Sequence, residues 1–236
     1  MKKSLVFLFV ACMFFLMAGC AYPQEKMKES QVPYEDQVSA VQKAVDHYQK
    51  DNDGILPIKT RDQSTPIYQK YPIDFKKLAP QYMAEPPGNS YESGGVFQYV
   101  LVDVEKKPTV KIFDLRIAET IRELKLRIQA KKYPPFKEVL GKNIFTLDYK
   151  KLGMKEEPVV TSPYSKQSLP FVITGDAEIY VDYRNDLVQA LQKHKNTYHQ
   201  GEDIRDILVK DSMFVPAYSL PYTIDDKSKE PIFLEK

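Results

Sequence analysis

The sequence predicts an α+β fold in which amphipathic helices pack on antiparallel β-hairpins as internally repeated helix–hairpin units. Three observations predict it. Apolar residues recur at spacings of three and four in two long stretches, from near Tyr34 towards Gly54 and from Leu115 to Ala130, which places them on one helical face. Two runs rich in β-branched and aromatic residues, 96–104 and 109–113, flank the polar turn Glu105-Lys106-Lys107-Pro108 and read as a hairpin. The segment Ile73-Asp74-Phe75-Lys76-Lys77-Leu78 returns, class for class, as Leu147-Asp148-Tyr149-Lys150-Lys151-Leu152.

Taken in order, the chain begins with a basic pair, Lys2 and Lys3, and an apolar run from Leu5 to Met17. That run is short for a bilayer span and fits a cleaved export signal over residues 1–19. Its ending, Met17-Ala18-Gly19-Cys20, resembles the lipobox of bacterial lipoproteins, with methionine where leucine is commonest. The resemblance implies that Cys20 is lipidated, with acyl chains such as palmitate, and becomes the new N-terminus. Residues 20–33 then read as the lipidated cysteine and a polar tether holding Pro23 and Pro33. At full extension it reaches roughly 45 Å, which keeps the following domain near the membrane.

The exported part has balanced charge. Of 34 basic residues two leave with the signal, and the remaining 32 face 32 acidic ones. That balance favours neither a nucleic-acid partner nor a polybasic membrane segment. Cys12 leaves as well and Cys20 carries the lipid, so the domain has no disulfide and no thiol chemistry, and its stability comes from its core.

The domain is expected over residues 34–236, in units 34–114, 115–183 and 184–236. Helix one carries Val38, Val41, Val45 and Tyr48 on one face and ends at Gly54, a natural left-handed cap. Asp51-Asn52-Asp53-Gly54 looks like a calcium loop, but Thr60 stands where such a loop needs glutamate. An irregular, proline-rich stretch from Pro57 to Gly95 precedes the hairpin. Helix two follows with Ile117, Ile121, Leu124 and Ile128 on its inner face. Beyond the Asp74 and Asp148 segments, Lys111-Ile112-Phe113 aligns with Glu178-Ile179-Tyr180, at a spacing that has fallen from 74 to 67, and helix two aligns with residues 186–193. A shorter third copy places Leu220-Pro221-Tyr222-Thr223-Ile224 against Leu169-Pro170-Phe171-Val172-Ile173. A lone hairpin and a lone amphipathic helix are each marginal in water, so neighbouring units must share a core.

Chemistry is sparse. His47 falls on the first helix near its polar boundary, and His194 and His199 are five apart, a spacing that does not align two ligands on one helical face. No nucleophile-elbow, metalloprotease, phosphate-loop or dinucleotide motif occurs, and no metal or cofactor is expected. No catalytic residue is assigned: Asp74 and Asp148, weighed as a carboxylate pair for hydrolysis of wall material against turn or cap duty, are counted with Tyr164 and Tyr222 as candidate binding residues. Tyr164 and Tyr222, each directly after a proline, are the candidate binding surface for glycan or extended peptide.

Four segments, Gln31-Val32-Pro33-Tyr34-Glu35, Ile55-Leu56-Pro57-Ile58-Lys59-Thr60, Tyr71-Pro72-Ile73-Asp74-Phe75 and Glu178-Ile179-Tyr180-Val181-Asp182-Tyr183, resemble the YphF-like lipoproteins of Bacillus-type Gram-positive bacteria. The resemblance runs from Gln31 to Leu191. It implies a lipid-anchored protein on the outer face of the cytoplasmic membrane and brings no activity with it. The functional expectation is a non-enzymatic binding or interaction module at the cell envelope, held to the membrane through Cys20, with an envelope protein or a wall component as partner. The alternative is an envelope hydrolase.

Overall fold

A computed structural model describes residues 35–194 and 198–234 of the chain. The leader, Cys20 and the tether lie outside the described residues. The fold is mixed α/β with antiparallel sheets, as the patterning predicts, and none of the described helices is long and apolar enough to cross a membrane.

The first helix, α1, spans Glu35–Asp51 and buries Val41, Ala44 and Val45, with Val38 and Tyr48 packed beside them. It stops where expected: the Gly54 N–H donates to Gln49 O, and Gly54 holds a φ of 84°. A short helix, α2 (Phe75–Leu78), and a hairpin of β1 (Phe97–Val102) and β2 (Thr109–Asp114) complete this half. Phe75 meets Tyr99 edge to face, and both sit in a cluster with Ile73, Leu78, Leu101 and Ile112.

Helix α3 (Arg116–Lys131) buries the four predicted residues, Ile117, Ile121, Leu124 and Ile128. Burying each such side chain stabilises the fold by roughly 2 kcal/mol before ordering costs. They face a four-stranded antiparallel sheet in the order β3 (Phe136–Gly141), β4 (Ile144–Leu147), β7 (Phe171–Thr174), β8 (Ile179–Val181), in which the ribbon β5 (Val160–Thr161) and β6 (Ser168–Leu169) is an excursion between β4 and β7. Helices α4 (Arg184–Lys193) and α5 (Asp206–Lys210) and a last hairpin, β9 (Tyr222–Ile224) with β10 (Pro231–Phe233), close the same core.

The β3–β4 hairpin is an element that the sequence reading leaves out. Its signal is Gly141-Lys142-Asn143 between Val139-Leu140 and Ile144-Phe145, with Asn143 at a φ of 59°. The close approach of this turn to the next one explains Gly175, whose added Cβ would lie 2.0 Å from Asn143 Oδ1.

The two halves are joined by a strap. Residues 213–215 run parallel to β2: Ile112 N–H donates to Met213 O, and Val215 N–H donates to Ile112 O. Lys111 Nζ donates to Val209 O and Ser212 O, and a third apolar cluster of Val100, Phe113, Val215 and Ala217 lies at the junction.

Three chain segments enter a helix the same way. Asp114, Asp182 and Asp203 each accept the backbone N–H of the arginine two residues on, and each takes its guanidinium as well: Arg116, Arg184 and Arg205. The first two of these junctions lie 68 residues apart. Asp74 and Asp148 make similar local hydrogen bonds. Asp74 N–H donates to Pro57 O and Asp148 N–H to Pro135 O, both at 2.8 Å, and each carboxylate then accepts a backbone N–H of the turn that follows.

Candidate functional site

A cleft of about 860 Å³ opens where three separate segments meet. One wall is the loop Ser64–Ile67, the second is the β3–β4 turn with Thr174 and Tyr180, and the third is Ser219-Leu220-Pro221 with Leu234. Its size falls within the range of small-ligand and peptide sites. Ile67 is 59% exposed here, beside exposed Pro66.

Arg205 forms the charged floor of this cleft and is already fully employed. Its guanidinium pairs with both oxygens of Asp203, donates to Ser219 O at 3.2 Å and Ser219 Oγ at 3.0 Å, and lies 5.1 Å from the centre of the Tyr68 ring. Burial drives the Tyr68 hydroxyl far above its ordinary range, with Arg205 opposing the shift. The cleft therefore offers apolar contact area over a rigid polar floor. Sequence reasoning missed Arg205, although the recurring Asp-x-Arg spacing at 114/116, 182/184 and 203/205 was the signal that could have found it.

The tyrosine–proline pairs divide their work. Pro221 lines the large cleft, but Tyr222 turns inward and is 0% exposed. Its hydroxyl accepts the Tyr183 N–H at 3.0 Å, and burial raises its pKa well above the ordinary phenol value. Tyr222 thus presents no surface to a ligand, and its place in the binding set is corrected to the core. Tyr164 and Pro163 line a second pocket of about 370 Å³, together with Asp186, His194 and Asp211. Only the flank of the Tyr164 ring is offered there, because its hydroxyl end is buried beside Tyr183 and burial raises its pKa strongly.

Asp186 is a buried carboxylate behind this second pocket. Both of its oxygens accept from Ser162 Oγ at 2.8 Å, and Ser162 Oγ in turn accepts the N–H groups of Tyr164 and Ser165. Desolvation raises its pKa against those hydrogen bonds. Its task is to hold the 162–165 turn on α4.

The Asp74 and Asp148 carboxylates are spent on turns. Asp74 caps α2 by accepting the Lys76 N–H at 3.3 Å, and Asp148 accepts the Lys151 N–H at 3.3 Å with Lys151 Nζ at 3.5 Å. Asp74 belongs to the turn beside the N-terminal cluster, whereas Asp148 lines a small pocket of about 220 Å³ with Lys137, Lys155 and Glu157. His47 is exposed on α1, and His194 lies 3.3 Å from Asp211. Among the described residues no three His, Cys, Asp or Glu side chains converge as a metal site would require.

Comparison with known families matches residues 34–114, about a third of the chain, to the YphF family N-terminal domain. The match runs from just before α1 to the last residue of β2, which is the half built on the N-terminal cluster. No curated protein and no solved structure matches the chain.

Proposed function

We propose that this protein is a bacterial lipoprotein, anchored through Cys20 on the outer face of the cytoplasmic membrane, whose folded part binds an envelope protein or wall component. One observation carries the binding reading: the 860 Å³ cleft exposes Ile67, Pro66 and Pro221 while its charged floor is satisfied within the fold. Such a surface rewards apolar and aromatic contact with an extended ligand and supplies no free acid, base or nucleophile from Arg205. The anchor reading rests on the leader and Met17-Ala18-Gly19-Cys20.

The same reading takes the chain as an internal duplication. The matched turns at Asp74 and Asp148 and the Asp-x-Arg junctions support it, because unrelated segments have no reason to repeat both devices in the same order. The cleft then lies where the second and third units meet the long loop of the first.

The test is crosslinking in cells followed by mass spectrometry on three proteins: native, Cys20→Ser and Ile67→Asp. A partner captured by the native protein and lost in both variants supports the proposal. A partner retained by Ile67→Asp would move the binding surface elsewhere.

A further inference from the structure

Nine large hydrophobic side chains stand out in solvent among the described residues, and four of them fall within fourteen positions: Leu126 at 59%, Tyr133 at 62%, Phe136 at 37% and Val139 at 73% exposure. None lines the large cleft. Scattered exposed apolar residues need no explanation, but a run of them from the last turns of α3 into β3 does. Lysines are interleaved with the run. Lys131 and Lys132 end the helix with no ion pair among the described residues, and Lys137, which also borders the small pocket of Asp148 and Glu157, lies 3.6 Å from Glu138. Beside the helix end, Glu123 is paired with Arg127 at 2.8 Å and Glu178 with Lys125 at 2.6 Å.

The helix dipole accounts for one lysine in the last turn. It does not account for Lys132, which holds the left-handed cap at a φ of 67°, a place that favours glycine or asparagine. Nor does it account for Tyr133 and Val139. Strand β3 is moreover an edge of its sheet, with four consecutive exposed residues from Phe136 to Val139. Lysines that reach outward around aromatic and aliphatic side chains are the composition of a surface that sits in lipid headgroups, where the ammonium groups meet phosphates and the rings enter the acyl boundary.

We propose that the α3–β3 edge, from Leu126 to Val139, docks the folded domain on an anionic lipid bilayer. This goes beyond the binding reading of the cleft and is independent of the lipid on Cys20. All described core residues lie between Val41 and Phe233, so a chain starting at Ala21 keeps the whole described core and can be tested without leader or lipid.

The experiment is flotation of residues 21–236 with vesicles of equal parts phosphatidylglycerol and phosphatidylcholine, against vesicles of phosphatidylcholine alone. Binding is expected to the first and to be much weaker to the second. Lys131→Gln with Lys132→Asn, chosen because asparagine suits the left-handed cap, lowers partitioning about tenfold or more. Tyr133→Ser with Val139→Ser lowers it while leaving the unfolding midpoint unchanged. Failure to float, equal binding to both vesicles, or variants that float like the parent would each overturn the proposal. So would an envelope protein captured by a photo-crosslinker at position 133 when the vesicles capture nothing. None of these outcomes touches the Ile67→Asp test.

Discussion

Tyr222 reaches from the last hairpin to the start of α4, where its hydroxyl accepts the backbone N–H of Tyr183 at 3.0 Å. The same hydroxyl lies 3.4 Å from Val181 O and 3.3 Å from Asp182 Oδ1, so its own proton has an acceptor. The contact closes the C-terminal half, because α4 opens at Tyr183, whose own side chain makes no cap, with Asp182 accepting the Arg184 N–H beside it. Tyr222→Phe leaves the Tyr183 N–H buried and unpaired. It is expected to cost about 1–2 kcal/mol in urea unfolding while near-ultraviolet circular dichroism stays native.

Arg205 joins the loop before α5 to Ser219 at the cleft floor. Arg205→Lys keeps the charge but cannot reproduce the fork that binds Asp203 and Ser219 together. A loss of about 2 kcal/mol is expected by urea unfolding, since Asp203 is partly exposed and regains water. An unchanged midpoint would mean that the fork does not hold the floor.

The acid side of the stability profile carries one inverted contribution. Two carboxylates, Asp62 and Asp225, have pKa values lowered by serine hydrogen bonds, and they favour the fold above the unfolded value of 3.8. Asp186 is raised by desolvation, so its contribution is fully present below 3.8 and is lost as pH rises through its folded value. Asp186→Asn should therefore flatten the profile just above pH 3.8, read as the difference between native and variant unfolding free energies at several pH values. A difference that grows in the opposite direction would contradict the desolvated placement.

Gly94 and Gly95 differ although they are neighbours. A Cβ on Gly95 would lie 2.1 Å from Asn89 O, whereas Gly94 has open space around it and a φ of 83°. Gly95→Ala should cost about 2–3 kcal/mol or prevent folding, because a backbone carbonyl must move. Gly94→Ala should cost about 1 kcal/mol, from conformation alone. Thermal melts of the two variants check the order.

Asp74→Ala removes the α2 cap and is expected to cost about 1 kcal/mol, and Asp148→Ala a similar amount at its own turn. Asparagine keeps an accepting oxygen and should restore most of the loss at both positions. If the alanine and asparagine variants instead lost an envelope function equally, with stability intact, the carboxylates would have a chemical role.

The sequence by itself determined the elements whose periodicity is strong. The faces of α1 and α3, the Gly54 stop, the β1–β2 hairpin and the turns at Asp74 and Asp148 all follow from local spacing, because one buried stripe or one turn residue is enough to specify each. Tertiary structure decided the rest. The β3–β4 hairpin was obscured because Val139 and Phe136 face solvent, so its outer strand lacks the alternation of a half-buried one. Tyr164 and Tyr222 look alike in sequence, each following a proline, yet one flanks a pocket and the other fills the core, since burial depends on what returns to cover a residue. Arg205 meets Ser219 fourteen residues later, and Lys111 meets the strap about a hundred residues later. Local pattern specifies which residues turn inward, but the cleft, its satisfied floor and the join between the two cores exist only through contacts between segments distant in the chain.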